Sequence, residues 1–341
     1  MKKSKEKHDD GNEIKFINAY GNDMLSEMKG IDLQSFINEL TCFYLTLRPK
    51  IGIDKNVTFG MEFEYENASY RLIGNEIEKH DDLSFWISTT DGTVNGGELV
   101  SPVCTDTKKT WNDLKIICGI LKKAGAETLN CAGGHIHIGA PILTGNPDIW
   151  LRFFKVWTIY EKIIYRFSYG DKLFFRKLGK SYANPIGEML YNFLIQKGKK
   201  NKIEIARYII DNVGKYNGIN FKNVQMYDEI PNHKNTIEFR CPNGSVEEVI
   251  WQNNVNLFTK LLLFCRKYES YDDIIDYKIK KYCDSDSFNS KKLYGEIYLS
   301  DALEFSDMIF NNNIDKIYFL RQYLKNFDDC CSGKKAKTFV K

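Results

Sequence analysis

Four short stretches of this sequence place acids, imidazoles or a guanidinium at every second position, with apolar residues between them. In VTFGMEFEY, Glu62 and Glu64 alternate with Met61, Phe63 and Tyr65. In GGHIHIG, His135 and His137 alternate with Ile136 and Ile138, and in TIEFR, Glu238 and Arg240 alternate with Ile237 and Phe239. Glu98 stands in the fourth stretch, GELVSP, directly after Gly96 and Gly97. In a strand this period puts each polar pair on one face, about 6.6 Å apart along the chain. A pair of carboxylates at that spacing can hold two cations, or both sides of one.

Taken singly, each stretch has an ordinary explanation. A lone Glu-x-Glu is commonly a solvated strand face, Glu238 with Arg240 could belong to a cross-strand charge ladder, and Asp91 before Gly92 could be only a turn former. Together they ask for more. Carboxylates of Glu62, Glu64, Glu98 and Glu238 gathered on one sheet face would repel and raise one another's pKa values unless cations compensated them. Oxygen-rich ligation with one or two imidazoles suits Mg²⁺ or Mn²⁺ better than structural zinc, for which cysteines are expected. The glycines around His135 and His137 are expected to leave backbone room for a ligand. Neither GxxxxGK[ST] nor GxGxxG occurs, so a nucleotide would be held through the metal ions and not by a glycine-rich turn.

The elements that must carry these residues follow from the same periodicities. Apolar residues at helical intervals from Leu33 to Leu47 predict a helix over 32–48. Strands are expected over 57–65, 84–90 and 97–101, the second and third forming a hairpin around the turn Asp91-Gly92. A helix is expected over 107–124, stopped by Gly125, then the histidine strand 133–139. Residues 147–230 read as helix-rich, with a basic loop over 197–202, and suggest an insertion or lid. After the strand 236–240, Ser245 and Glu248 have the spacing of a capping box that opens a helix to about 267. Because polar and apolar positions alternate cleanly, the sheet is expected to be antiparallel and covered on one face, an α+β fold.

Composition narrows the partners. Lysine plus arginine number 48 against 45 acids, a net +3 that gives no electrostatic case for nucleic acid or an anionic membrane. The apolar stretch 257–265 is interrupted by Lys260 and falls short of the ~18 residues of a spanning helix. The polar start MKKSKEKHDDGNE has no apolar core behind it, and nine cysteines, an odd number without any CxxC, fit reduced thiols. The expectation is a cytoplasmic protein acting on a small molecule or peptide.

In order and wording, GMEFE (60–64), DGT (91–93) with GELVSP (97–102), GGHIHIG (133–139) and TIEFR (236–240) leading to a helix with Trp251 resemble the amidoligase family. That family is a branch of the glutamine synthetase and glutamate-cysteine ligase superfamily of carboxylate-amine ligases. The resemblance implies an antiparallel, saddle-shaped sheet of the glutamine synthetase catalytic type, with helices packed on one face and a helical insertion over about 145–230. It implies ATP and Mg²⁺ or Mn²⁺, two ions, and an acyl phosphate formed on an amino-acid or peptide carboxylate and attacked by a small-molecule amine. Carried over residue by residue, Glu64 and Glu98 resemble ligands of one ion, and Glu62, His135 and Glu238 those of the ion on the transferred phosphate. Arg240 resembles the arginine that neutralises the moving phosphoryl group, His137 stands near phosphate, and Arg176 in RKLGKSY is a further candidate contact. The expected organisation is a polar tail and amphipathic helix over 1–50, a catalytic region over 51–268, and a helical extension with a basic tail over 269–341. Two rivals remain: a metal-dependent amide hydrolase, which would turn over without ATP, and an inactive nucleotide- or peptide-binding module.

Overall fold

The structure, a computed structural model, describes residues 24–172, 175–176, 179–195, 201–226, 234–282 and 297–325. The basic loop from Lys197 onward lies outside them up to residue 200, as do the polar start and the basic tail.

The strands fall where alternation places them: β1 (Phe59–Glu66), β2 (Ile87–Thr89), β3 (Gly96–Val100), β4 (Gly134–Gly139), β5 (Ile219–Asn220) and β6 (Thr236–Phe239). They form an antiparallel sheet in the order β2-β3-β1-β4-β6-β5, with β2 and β3 as the expected hairpin. The fold is α+β, as the alternation implied.

One sheet face is a continuous apolar layer. Met61, Phe63, Tyr65, Leu99, Ile136, Ile138, Ile237 and Phe239 are all buried. Over this layer lie α1 (Gly30–Cys42), α2 (Tyr70–Ile77), α3 (Lys108–Lys123), α4 (Pro147–Ser168), α5 (Gly187–Ile195), α6 (Lys202–Asn212), α7 (Glu248–Lys267), α8 (Asp272–Tyr282), α9 (Leu299–Ile309) and α10 (Asn313–Leu324) as the helical shell. Phe239 stacks on Phe258 of α7 at 4.2 Å between ring centroids, and Phe63 lies 3.7 Å from the Trp251 ring. Such buried aromatic pairs add about 0.5–1.5 kcal/mol each beyond area burial.

Three local expectations come out differently. The first helix ends at Cys42, and the chain continues extended from Phe43, whose carbonyl accepts from Arg321 Nε of α10 at 2.7 Å. Ser245 does not form the capping box: its hydroxyl accepts from Glu247 N at 3.0 Å, a tighter turn, and the N-cap of α7 is Glu247. Most consequentially, α4, at the start of the segment read as an insertion or lid, is buried on nearly every side. Even some of its charged residues are internal, with Arg152 paired to Asp272 and Glu161 accepting from Trp157 Nε1. Its side chains share one apolar cluster with the sheet and with α10.

Chain ends clasp the shell. Asp315 of α10 accepts from Arg48 Nη1 at 2.7 Å, Asn256 Nδ2 at 2.8 Å and Lys260 Nζ at 3.0 Å, so one buried carboxylate ties together three segments. Cys118 and Cys265 are fully buried small apolar side chains, as their helical pattern implied. Among the described residues no helix is long and apolar enough to cross a membrane.

Candidate metal centre

The polar face of the sheet assembles the chemistry. Cross-strand register sets Glu62 beside His135, Glu64 beside Glu98, and His137 beside Glu238. β1 and β4 are adjacent in the sheet although their sequence positions are some seventy residues apart, so the pairing of strands is what joins the acids to the imidazoles.

Glu62 is the hub. Its Oε2 lies 2.9 Å from His135 Nδ1 and its Oε1 3.0 Å from His137 Nε2. Burial alone would raise its pKa, but the contacts with His135 and His137 overcome burial and hold the carboxyl far below the usual carboxylate range. In Glu238 burial is likewise outweighed, by His135, Arg240 and His137, and its pKa is lowered. Both acids are therefore anions at neutral pH.

Glu238 is held from two sides. Its Oε1 receives Arg240 Nη1, and its Oε2 receives Asn220 Nδ2 at 2.6 Å. Asn220, opposite Glu238 in the β5–β6 register, went unnoticed in the sequence because β5 is only two residues long. Glu64 uses Oε2 to accept Gly133 N at 2.5 Å, leaving Oε1 at 3.4 Å from His135 Nε2.

These residues fit a cation. Glu62, His135 and Glu238 each offer an atom within 4.8 Å of the others, a spread that small rotations reduce to the ligand separations around one Mg²⁺. Among the described residues His135 Nε2 and His137 Nδ1 are buried without a hydrogen-bond partner, while His137 Nε2 reaches Glu62 Oε1 at 3.0 Å. If Nδ1 of His135 donates to Glu62, its Nε2 lone pair faces a Glu64 oxygen, and acceptor against acceptor is relieved by a positive ion.

Glu98 lines the same cleft, and among the described residues its carboxyl makes no hydrogen bond. Burial, then the charges of Glu62, Asp91 and Glu64, push its pKa up to about 7. Asp91 is both turn former and cleft residue: its Oδ1 accepts from Thr93 N at 2.6 Å. Because the folded pKa of Glu98 lies above the unfolded one, its stabilising contribution is complete below about 4.5 and disappears as pH rises through about 7. Without divalent ions, the thermal midpoint should therefore rise by a few degrees relative to Glu98→Gln as pH falls from about 7.5 to 5. Added Mg²⁺ should stabilise the protein more at the alkaline end, where Glu98 is ionised. Thermal unfolding of both proteins across this range checks the sign, and parallel curves would refute it.

Arg176 reaches the cleft, but its guanidinium is engaged with the backbone. It donates to the carbonyls of Pro242 and, at 3.0 Å, Arg240, fastening the strand end that carries Arg240. The glycines have a related task. A Cβ on Gly133 would come within 2.7 Å of the Arg176 guanidinium, and one on Gly134 within 2.7 Å of the Trp251 ring. The glycines thus admit protein side chains, where the sequence suggested room for a ligand.

The cleft, about 280 Å³, is lined by the acids Glu62, Glu64, Asp91 and Glu98 together with Tyr182, Lys215, Tyr216 and Arg240. Tyr182, Lys215 and Tyr216 carried no motif, and only their fold neighbours reveal them. Arg240 links Glu238 to the Tyr182 stretch, donating to the former through Nη1 and to the Tyr182 carbonyl through Nε at 3.3 Å.

The family model described as "Putative amidoligase enzyme" matches residues 74–262, more than half of the chain. That stretch includes Glu98, His135, His137, Arg176, Glu238 and Arg240; β1, with Glu62 and Glu64, precedes it. A bifunctional glutathione synthetase from Pasteurella multocida is a structural match at 12% sequence identity and a TM-score of 0.34, covering 91% of this chain and 54% of that one. The chain thus spans about half the length of that protein. No curated protein sequence matches it.

Proposed function

This chain belongs to the amidoligase family, and on that premise we propose that it is an ATP- and divalent-metal-dependent carboxylate-amine ligase acting on an amino-acid or peptide substrate. The observation that carries the reading is the joining of Glu62, His135 and Glu238 at one point, with Arg240 bonded to the last of them. A hydrolase also needs a metal-held water; a guanidinium fixed beside the ion favours the ligase reading because it suits the charge of a phosphoryl group in transfer.

Glu62, His135 and Glu238 would hold one ion and Glu64 with Glu98 a second, Mg²⁺ or Mn²⁺ in either case. Such ions, when bound, orient the ATP phosphates and offset their charge. The remaining work falls to the chain. His137 keeps Glu62 turned toward His135, and Asn220 fixes one oxygen of Glu238 while the other stays beside Arg240 and His135. Arg240, steadied by the Tyr182 carbonyl, presents its positive charge to the transferring phosphoryl group. In the proposed chemistry a substrate carboxylate oxygen bonds to the γ-phosphorus of ATP as ADP departs. An amine nitrogen then bonds to the acyl carbon, phosphate leaves, and the amine gives up a proton.

A coupled assay for ADP and phosphate over a broad panel of carboxylates and amines tests this. Product formation should require the acid, the amine, ATP and a divalent ion together. Amide cleavage without ATP would establish the hydrolase instead, and tight Mg-ATP binding with no turnover on any pair would establish the binding module.

A further inference from the structure

Resting on the ligase reading, we propose that the wall made by Tyr182, Lys215 and Tyr216 is a subsite for a carboxylate group of the acid substrate, with the Lys215 ammonium as its anchor.

The wall is a built structure. Its two stretches, around residues 182–187 and 214–218, are stitched by Asn184 N to Tyr216 O at 2.9 Å and Gly218 N to Asn184 O at 2.8 Å. Both are fastened to the core helix α4. Tyr165 Oη donates to Ala183 O at 2.9 Å, and Glu161 accepts from Ile186 N and Gly187 N at 2.7 and 2.9 Å. The fit at Gly218 is close enough that a Cβ there would fall 2.0 Å from Tyr165 Oη. Arg240 joins the wall through its own N–H, which donates to Gly218 O at 2.8 Å. The backbone that carries Lys215 is thereby fixed, while its ammonium stays exposed and open to a ligand at the cleft.

Charge bookkeeping identifies the ligand class. Arg240 is matched by Glu238 and Arg176 by backbone carbonyls, whereas among the described residues Lys215 faces no carboxylate and rests over the Tyr216 ring at 5.1 Å. Tyr182 and Tyr216 stand 5.9 Å apart between ring centroids, offering apolar area beside that ammonium. Asp91 and Glu98 line the same cleft from the β2–β3 edge of the sheet, whereas Lys215 and Tyr216 lead into β5 at the opposite edge. The cleft is therefore polarised: a cationic amine is attracted to the acidic side and repelled by Lys215, and an anion is placed the opposite way. With the metal cluster set aside for phosphates, the anion left to recognise is a carboxylate.

The full chain, as wild type, Lys215→Gln and Lys215→Arg, should be titrated calorimetrically with L-glutamate and with succinate in the presence of Mn²⁺ and AMP-PNP, and with Mn²⁺–AMP-PNP alone. Loss of a charge-assisted contact should raise the dissociation constant of the bound dicarboxylate about tenfold or more in Lys215→Gln, with recovery in Lys215→Arg. Nucleotide affinity should stay within about twofold. Unchanged carboxylate affinity in Lys215→Gln, weakened nucleotide binding instead, or no carboxylate binding to the wild type would each overturn the inference. Nucleotide binding that persists through such a result leaves the ligase reading standing. Absence of nucleotide binding takes both down.

Discussion

Glu62→Gln should lower the ATP-dependent reaction at least about a hundredfold and weaken Mn²⁺ binding by a similar factor, with little change in fold. Glu62 lies within hydrogen-bonding reach of both histidines and is one of the three residues whose donor atoms converge. The amide has the same shape but carries no charge, and its NH₂ would face a ring nitrogen where an oxygen now stands. The apolar side of β1 is untouched, so packing on Trp251 and Trp111 survives. The loss of the carboxylate's contacts with His135 and His137 is partly offset by relief of its repulsion with Glu98. The thermal midpoint measured in EDTA should therefore move by only a few degrees. Retained Mn²⁺ affinity in a folded Glu62→Gln protein would remove the metal centre from consideration.

Arg240→Ala should separate charge stabilisation from metal binding. An arginine set on a transferring phosphoryl group is worth on the order of 10³-fold in turnover, and a loss of that size is expected in kcat. Divalent affinity should change much less, because Glu238 keeps Asn220 on one oxygen and His135 beside the other. Arg240→Lys should recover little: an ammonium cannot donate to Glu238, the Tyr182 carbonyl and an incoming phosphoryl oxygen from a planar fork. Near-normal turnover in Arg240→Ala would mean that phosphoryl charge is neutralised elsewhere and that Arg240 is structural. Equal loss of kcat and of metal affinity would point to the same conclusion by a different route, a collapse of Glu238.

The site was legible in the sequence to the extent that local geometry dictates it. A period of two sends Glu62 with Glu64, His135 with His137, and Glu238 with Arg240 to common faces regardless of what surrounds them. The apolar partners on the other face then decide which side joins the apolar core, and Met61, Phe63, Ile136, Ile138, Ile237 and Phe239 all lie in it. Less legible were residues whose role depends on something distant. Arg176 offers the same guanidinium in sequence whether it meets phosphate or backbone, and the carbonyls of Pro242 and Arg240 give the answer. Gly133 and Gly134 likewise signal close approach without naming what approaches.

Composition and alternation by themselves determined the strand faces, the antiparallel character of the sheet and the acids, imidazoles and arginine able to meet a metal ion. These are properties of a few consecutive residues, fixed by backbone stereochemistry. Tertiary structure alone decided that β4 lies between β1 and β6, so that His135 meets Glu62 on one side while His137 faces Glu238 on the other. It also decided that α4 is a core helix and that the stretches bearing Tyr182, Lys215 and Tyr216 close the cleft. Those placements arise from strand order, cross-strand register and side-chain packing between residues far apart in the chain, and no local pattern encodes them.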